Sequence, residues 1–340
     1  MHRSRWFASL ALASLALSGC KKEGKSDLPI CKAEVAGKEA AEVADGAIPP
    51  DILFLILLRN FDRNTMQLKR PGQDCSGRAI EPKAEAIDSC IVGDEPAKRL
   101  PERPLTEDDL LIEALDDGRQ LVWAKTGEYD NGEAVGPIAI TEWTSRGVAV
   151  RAIGTLRAQK DRAAIRLEAV GAEQMLVVES RHCDPDDPKN CSRRIRLLPL
   201  IGDSFTDKRL QTEDGACIGS AEVTLYDEKL VTLDNGIERK FEVARSVEFE
   251  EGVVVINEQV TIKDKDPTQP DLPAKLFRRA NVERSLNVGM DAIVTQGGLW
   301  EDMLSKHGSV EVQEPAAGDE AAADGDAAAD EAAAVAADAE

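Results

Sequence analysis

From about residue 119 to residue 288, hydrophobic and polar positions alternate with a period of two. The stretches "RQLVWAKT", "PIAITEWT", "RGVAVRAIGTLRA", "RAAIRLEAV" and "QMLVVES" are short, rich in β-branched residues and separated by turn signals such as Asp130-Asn131-Gly132. "RRIRLLPLI", "AEVTLYD", "KLVTLDNG", "RKFEVARSVEFEEG", "VVVINEQVTIKD" and "KLFRRANVERSLNV" carry the pattern on. Connections this short permit hairpins and leave no room for the helical crossovers of a parallel sheet. The pattern therefore predicts a mainly β fold: an antiparallel meander of about eleven strands, barrel-like or split into two sheets because so many strands do not stay in one open sheet. No fixed-period repeat marks a propeller or a solenoid.

Three apolar windows lie outside the meander. Ile52 to Leu58 in "PPDILFLILLRNFD" is the most apolar window after the N-terminus; seven residues cannot span a bilayer, so it is core, as a short helix or a buried strand. In "TEDDLLIEALDDG", Thr106 offers an N-cap, Leu110, Leu111, Ala114 and Leu115 fall at helical spacing, and Gly118 is a stop, so a helix is predicted. "GGLWEDMLSKHG" predicts a last helix with Leu299, Trp300, Met303 and Leu304 on the sheet. Between the first two, residues 71 to 106 are broken by Pro71-Gly72, Pro82, Pro96, Pro101 and Pro104 and read as a cysteine-pinned loop.

Composition adds a boundary and an exclusion. Beyond Val310 the chain has no basic residue and is mostly Ala, Asp and Glu, which predicts a solvated, disordered acidic tail at 310–340. The formal net charge of −21 makes nucleic acid and anionic lipid surfaces poor partners. Arg193-Arg194-Arg196 and Arg278-Arg279 read as solvent faces of strands, and an aromatic content of 4% argues against polysaccharide stacking.

The N-terminus changes the picture most. Arg3 and Arg5, an apolar run from Trp6 to Leu17, and the small residues Ser18 and Gly19 have the three parts of an export signal. Leu17-Ser18-Gly19-Cys20 resembles the lipobox of bacterial lipoproteins. That resemblance implies cleavage after residue 19, diacylglyceryl modification of the Cys20 thiol and acylation of its new amino group. Each buried CH₂ is worth about 0.8 kcal/mol, so two or more chains hold the protein stably on a membrane. Lys21 and Lys22, with no Asp in second place, imply the outer membrane by the sorting rule of that family. Residues 20–50 are then the lipidated Cys and a tether, 51–118 a Cys- and Pro-containing region packed on the sheet, and 119–309 the antiparallel β domain.

Export also sets the role of the other cysteines. Cys31, Cys75, Cys90, Cys183, Cys191 and Cys217 form an even set in an oxidising compartment, which predicts three disulfides. The Pro-bounded loop "CDPDDPKNC" favours Cys183 with Cys191, and Cys75 with Cys90 is the second local pairing. There is no C-x-x-C, and past the signal only His182 and His307 remain, so no metal and no cofactor beyond the covalent lipid is expected.

One stretch looks like chemistry. "LPLIGDSFTD" resembles the nucleophile block of GDSL-type esterases and lipases, which implies Ser204 as the attacking hydroxyl. The rest of that family's pattern is missing: His307 has Leu304 where D-x-x-H needs the acid, with Asp302 two residues too early. Gly289-Met290-Asp291-Ala292 lacks the Asn of the oxyanion block. A turn in which Asp203 and Ser204 bond their own backbone is the favoured reading. The oxygen-rich groups Asp184, Asp186, Asp187 and Asn190, and Asp264 and Asp266, lack the spacing of a calcium loop and read as acidic turns. The expected function is thus a non-enzymatic envelope lipoprotein with a binding or structural role, its partner an unknown envelope protein or small ligand. The alternatives are a β-barrel carrier of a small apolar ligand and, third, the Ser204 esterase.

Overall fold

The computed structural model describes residues 28–35, 48–80, 98–99, 103–129, 131–183, 191–250, 252–289 and 291–308. Cys20, Cys90, the loop with Asp184, Asp186, Asp187 and Asn190, and the acidic tail lie outside the described residues.

The chain opens with β1 (Cys31–Glu34), α1 (Pro50–Leu57) and the short strands β2 (Phe61–Asp62), β3 (Gln67–Leu68) and β4 (Lys98–Arg99). A 3₁₀ turn at Glu107–Asp109 leads into β5 (Leu110–Ala114), β6 (Gln120–Ala124), β7 (Gly127–Tyr129), β8 (Glu133–Thr144), β9 (Gly147–Gln159), β10 (Ala163–Val170), β11 (Glu173–Cys183) and β12 (Cys191–Ile201). There follow β13 (Ser204–Phe205), β14 (Arg209–Thr212), β15 (Cys217–Ser220), β16 (Glu222–Thr232), β17 (Glu238–Glu250), β18 (Val253–Lys265), β19 (Lys275–Val288), β20 (Ala292–Thr295) and α2 (Leu299–His307). The fold is mainly β and its long ladders are antiparallel, as the alternation predicts.

The ladders branch. β5, β6, β8 and β9 are neighbours in that order, while β10–β11–β12 and β16–β17–β18–β19 are meanders joined through β12 and β16. Two parallel contacts, β13 on β9 and β14 on β20, tie distant segments together without any helical crossover. "AEVTLYD" and "KLVTLDNG" are one strand, β16, rather than two.

Buried side chains form successive layers. α1 packs Ile52, Leu53, Phe54, Ile56 and Leu57 against Val122, Ala124, Ala139, Val148 and Val150 on one face of β6, β8 and β9. The other face of the same strands meets Ile165, Leu176, Val178 and Leu198 of β10, β11 and β12. Those strands in turn bury Met175, Val177, Ile195 and Leu197 against Val223, Val254, Ile256 and Leu286. Last, α2 lays Trp300 and Met303 on Phe241, Val243, Val260 and Ile262, the anchoring expected of the C-terminal helix. Strands covered on both faces have no solvent side, which is why "AVGPIAI" in β8 is apolar throughout.

Pro137 sits inside that central strand, where a missing N–H would ordinarily cost a ladder bond. The local geometry explains it. Ile138–Thr141 of β8 pair with β6 and Ala134–Val135 with β7, so Gly136-Pro137 falls at the bend where β8 changes partner. A Cβ on Gly136 would lie 1.7 Å from the Ala124 carbonyl oxygen. Only glycine admits this approach of the two backbones.

Two expectations are corrected. Residues 110–114 are not a helix but strand β5, paired along its length with β6. Leu110 faces the α1 layer while Leu111 and Leu115 face the next one, so the apolar run serves opposite sides of a sheet. Gly118, at φ +81°, makes the β5–β6 turn instead of stopping a helix. Thr106 instead precedes the 3₁₀ turn, its N–H donating to Asp109 Oδ2 at 2.8 Å. Second, Cys75 is bonded to Cys31, not to Cys90. β1 lies beside the start of β9, with Ile30, Cys31 and Ala33 against the α1 layer, which brings Cys31 to the loop after α1. Cys183 and Cys191 are bonded as predicted, as direct cross-strand partners of β11 and β12, and Cys217 is disulfide-bonded too.

Candidate functional site

The hydroxyl of Ser204 sits in the two-residue strand β13, reached by a turn at Gly202. Ser204 Oγ accepts from Arg78 Nη1 at 2.6 Å and donates to the Ile153 carbonyl at 3.3 Å. Its neighbours are a cation and a peptide oxygen. The histidines find partners elsewhere: His182 bonds Ser180 and Gln159, and His307 lies against Phe277 and Arg278. In the first basic cluster Arg193 pairs with Glu179 and Arg194 with Glu222 across strands, and Arg196 pairs with Asp207. Asp264 spends both oxygens on Arg239, at 2.7 and 2.8 Å, and Asp266 closes a turn onto Thr268. No helix among the described residues is long and apolar enough to cross a membrane.

Two groups that the sequence did not single out stand apart. The first is a cleft of about 800 Å³ between the 3₁₀ turn and the β9–β10 connection, with Arg103, Glu107, Asp108, Asp109, Lys125 and Lys160 in its lining. That volume suits a small ligand. Lys125 follows Trp123 by two positions, so the strand period turns it inward, and only 8% of the residue is exposed. Its ammonium reaches the Lys160 carbonyl at 3.4 Å. Burial lowers the Lys125 pKa from its ordinary value, although Asp161 and Asp109 pull the other way.

The neighbouring charges are already spoken for. Asp109, almost fully buried, accepts two bonds of 2.6 Å from Arg103. Burial would push its carboxyl up, but Arg103 and the Thr106 N–H outweigh it and hold the pKa low. Lys160 pairs with Glu128 at 2.5 Å. Glu107, Asp108 and Asp161 remain on the rim without a cationic partner among the described residues. The cleft can therefore supply one desolvated ammonium at its floor and three carboxylates at its mouth.

The second group is a buried charge node beneath α2. Arg245, Glu258 and Arg284 lie in phase with the inward residues Phe241, Val243, Val260 and Leu286 of β17, β18 and β19. Glu258 accepts two bonds from Arg245, at 2.9 and 3.1 Å, and lies 3.4 Å from Arg284. It also accepts the Trp300 N–H at 2.7 Å, satisfying one donor of the α2 N-terminus, whose Gly298 cap offers no side chain. Arg245 goes on to the Thr224 carbonyl at 2.7 Å and Arg284 to the Gln296 carbonyl at 3.2 Å. This node orients α2, and its three side chains are almost fully buried. A charged residue in phase with core positions, as in "VVVINEQVTI" and "LVWAKT", was the sequence signal for both groups.

No protein-family model, no curated protein and no solved structure matches this chain.

Proposed function

We propose that this protein is a lipid-anchored lipoprotein of the cell envelope, held at the outer membrane through Cys20, that works by binding rather than by catalysis and takes a small zwitterionic ligand in the Lys125 cleft. The anchor rests on Leu17-Ser18-Gly19-Cys20, eight residues before the first described residue, Leu28. The binding role rests on one observation. Lys125 has lost most of its water and, among the described residues, has one long hydrogen bond in return, a cost that an anionic group of a ligand would offset. Glu107, Asp108 and Asp161 at the mouth suit the cationic end of the same molecule, as in an amino acid or a peptide terminus. Ser204, held between Arg78 and a carbonyl, has the partners of a structural hydroxyl.

The test is a thermal-shift and calorimetric screen of amino acids and dipeptides on wild type and Lys125→Met. At a hundred times its Kd a ligand adds about 2.7 kcal/mol to stability, which such a screen resolves easily. At least one zwitterion shifts wild type and leaves the variant unmoved if the cleft is the site; a screen with no shift, or a shift kept by Lys125→Met, refutes it. A fluorophosphonate probe labels wild type and Ser204→Ala alike, and labelling confined to wild type would overturn the non-enzymatic role. Intact mass of membrane-extracted protein beside Cys20→Ala checks the anchor.

A further inference from the structure

β19 pairs with β18 from Lys275 to Asn287, yet among the described residues only Leu286–Val288 are paired on its other edge, to β20. The free part carries exposed Leu276, Phe277 and Val282 and three cations, Lys275, Arg278 and Arg279. Cations of the adjoining strands are matched: Arg239 holds Asp264, Lys240 holds Glu228, and Lys263 holds Glu242 at 2.6 Å. Lys275, Arg278 and Arg279 have no carboxylate partner among the described residues, Arg278 reaching only the His307 ring at 3.4 Å. An open, partly apolar edge is a pairing hazard that proteins ordinarily cover or repel.

His307 ends α2, and its ring lies 5.6 Å from that of Phe277. The chain beyond Gly308 thus departs beside this edge. Residues 309–340 hold ten acids and no basic residue. The rest of the chain is also net acidic, so the segment is repelled from most of the surface and attracted here. A tether of no length between His307 and Arg278 gives the encounter an effective concentration on the order of millimolar, enough to populate a weak contact.

We propose that the acidic segment 309–340 is the occupant of the open β19 edge, held by its carboxylates on Lys275, Arg278 and Arg279 and shielding the edge from other strands. Alanine is a poor strand former, so the contact is ionic rather than an added ladder. Zero-length carbodiimide coupling on the full chain tests it, since it joins a lysine only to a carboxylate in direct contact. Lys275 should link to residues 309–340 within one molecule at least fivefold more often than Lys229, an exposed lysine on β16. The excess should vanish in 0.5 M salt and in Arg278→Glu/Arg279→Glu. Linking of Lys275 no greater than that of Lys229, an excess indifferent to salt, or links found only between two molecules would each overturn the proposal.

Discussion

Replacing Glu258 with Ala removes the one anion from a node whose three side chains are 0%, 4% and 8% exposed for Glu258, Arg245 and Arg284. Arg245 would keep only the Thr224 carbonyl, Arg284 its contacts near Gln296, and the Trp300 N–H would lose its acceptor. Breaking a buried ion pair from one side costs about 3–5 kcal/mol, because the remaining charge stays buried without its counter-charge. An unsatisfied N–H adds about 1 kcal/mol or more. The expected loss is therefore about 4–6 kcal/mol by urea titration, or at least about 8 °C in Tm at roughly 2–4 °C per kcal/mol for a chain of this size. The same physics makes a second, opposite forecast. Arg245→Met/Glu258→Leu/Arg284→Met removes all three charges, and apolar replacements of a buried node are neutral or stabilising by about 1–4 kcal/mol. A Glu258→Ala variant within about 1 kcal/mol of wild type, or a triple variant as unstable as the single one, would show that the node is not the desolvated cluster its geometry implies.

Other predictions follow from separate features. Cys31→Ser/Cys75→Ser, which opens a bridge across a sequence separation of 44, should cost about 4 kcal/mol by the loop-entropy relation, against about 2.6 kcal/mol for Cys183→Ser/Cys191→Ser with its separation of 8; paired denaturation curves decide the order. Burial, then the Arg194 guanidinium, lowers the His182 pKa below its ordinary 6.5. Below pH 6.5 the unfolded chain therefore binds a proton that the folded one refuses, so stability falls with acidification through that window; His182→Asn should flatten this part of a stability–pH profile. Gly136→Ala should cost about 3 kcal/mol, since its Cβ would meet backbone that no side-chain rotation can move, and a variant as stable as wild type would contradict the β8 crossing.

Much of the sheet was legible because its strands keep strict alternation between turn glycines, as in "RKFEVARSVEFEEG". What misled was a run too short to carry a period. "LLIEAL" fits a helix face and also a strand with a core on each side, and only its pairing with Gln120–Ala124 decides. The Cys31–Cys75 bridge depends on β1 finding Gly147–Val150, a pairing between residues over a hundred positions apart that no local spacing reports. The parallel contacts of β13 and β14 are invisible for the same reason. For the cleft, half the information was present: Lys125 keeps step with Leu121 and Trp123, so its inward direction could be read. What it would face there, the Asp109–Arg103 pair and the Lys160 carbonyl, comes from segments on either side in sequence.

The bridge between β1 and the loop after α1 also fixes where a pull on the N-terminal side of β1 would be borne. A tug arriving at Leu28 meets a strand of four residues, which by its hydrogen bonds alone would peel from β9 one residue at a time. Cys31 lies at the leading end of that strand, and its sulfur passes the load to Cys75 before the ladder beyond it is strained. The traction then spreads into the α1 layer, where many side chains share it. On the proposed anchor at Cys20, the protein would be moored by a covalent cleat rather than by the edge of a sheet.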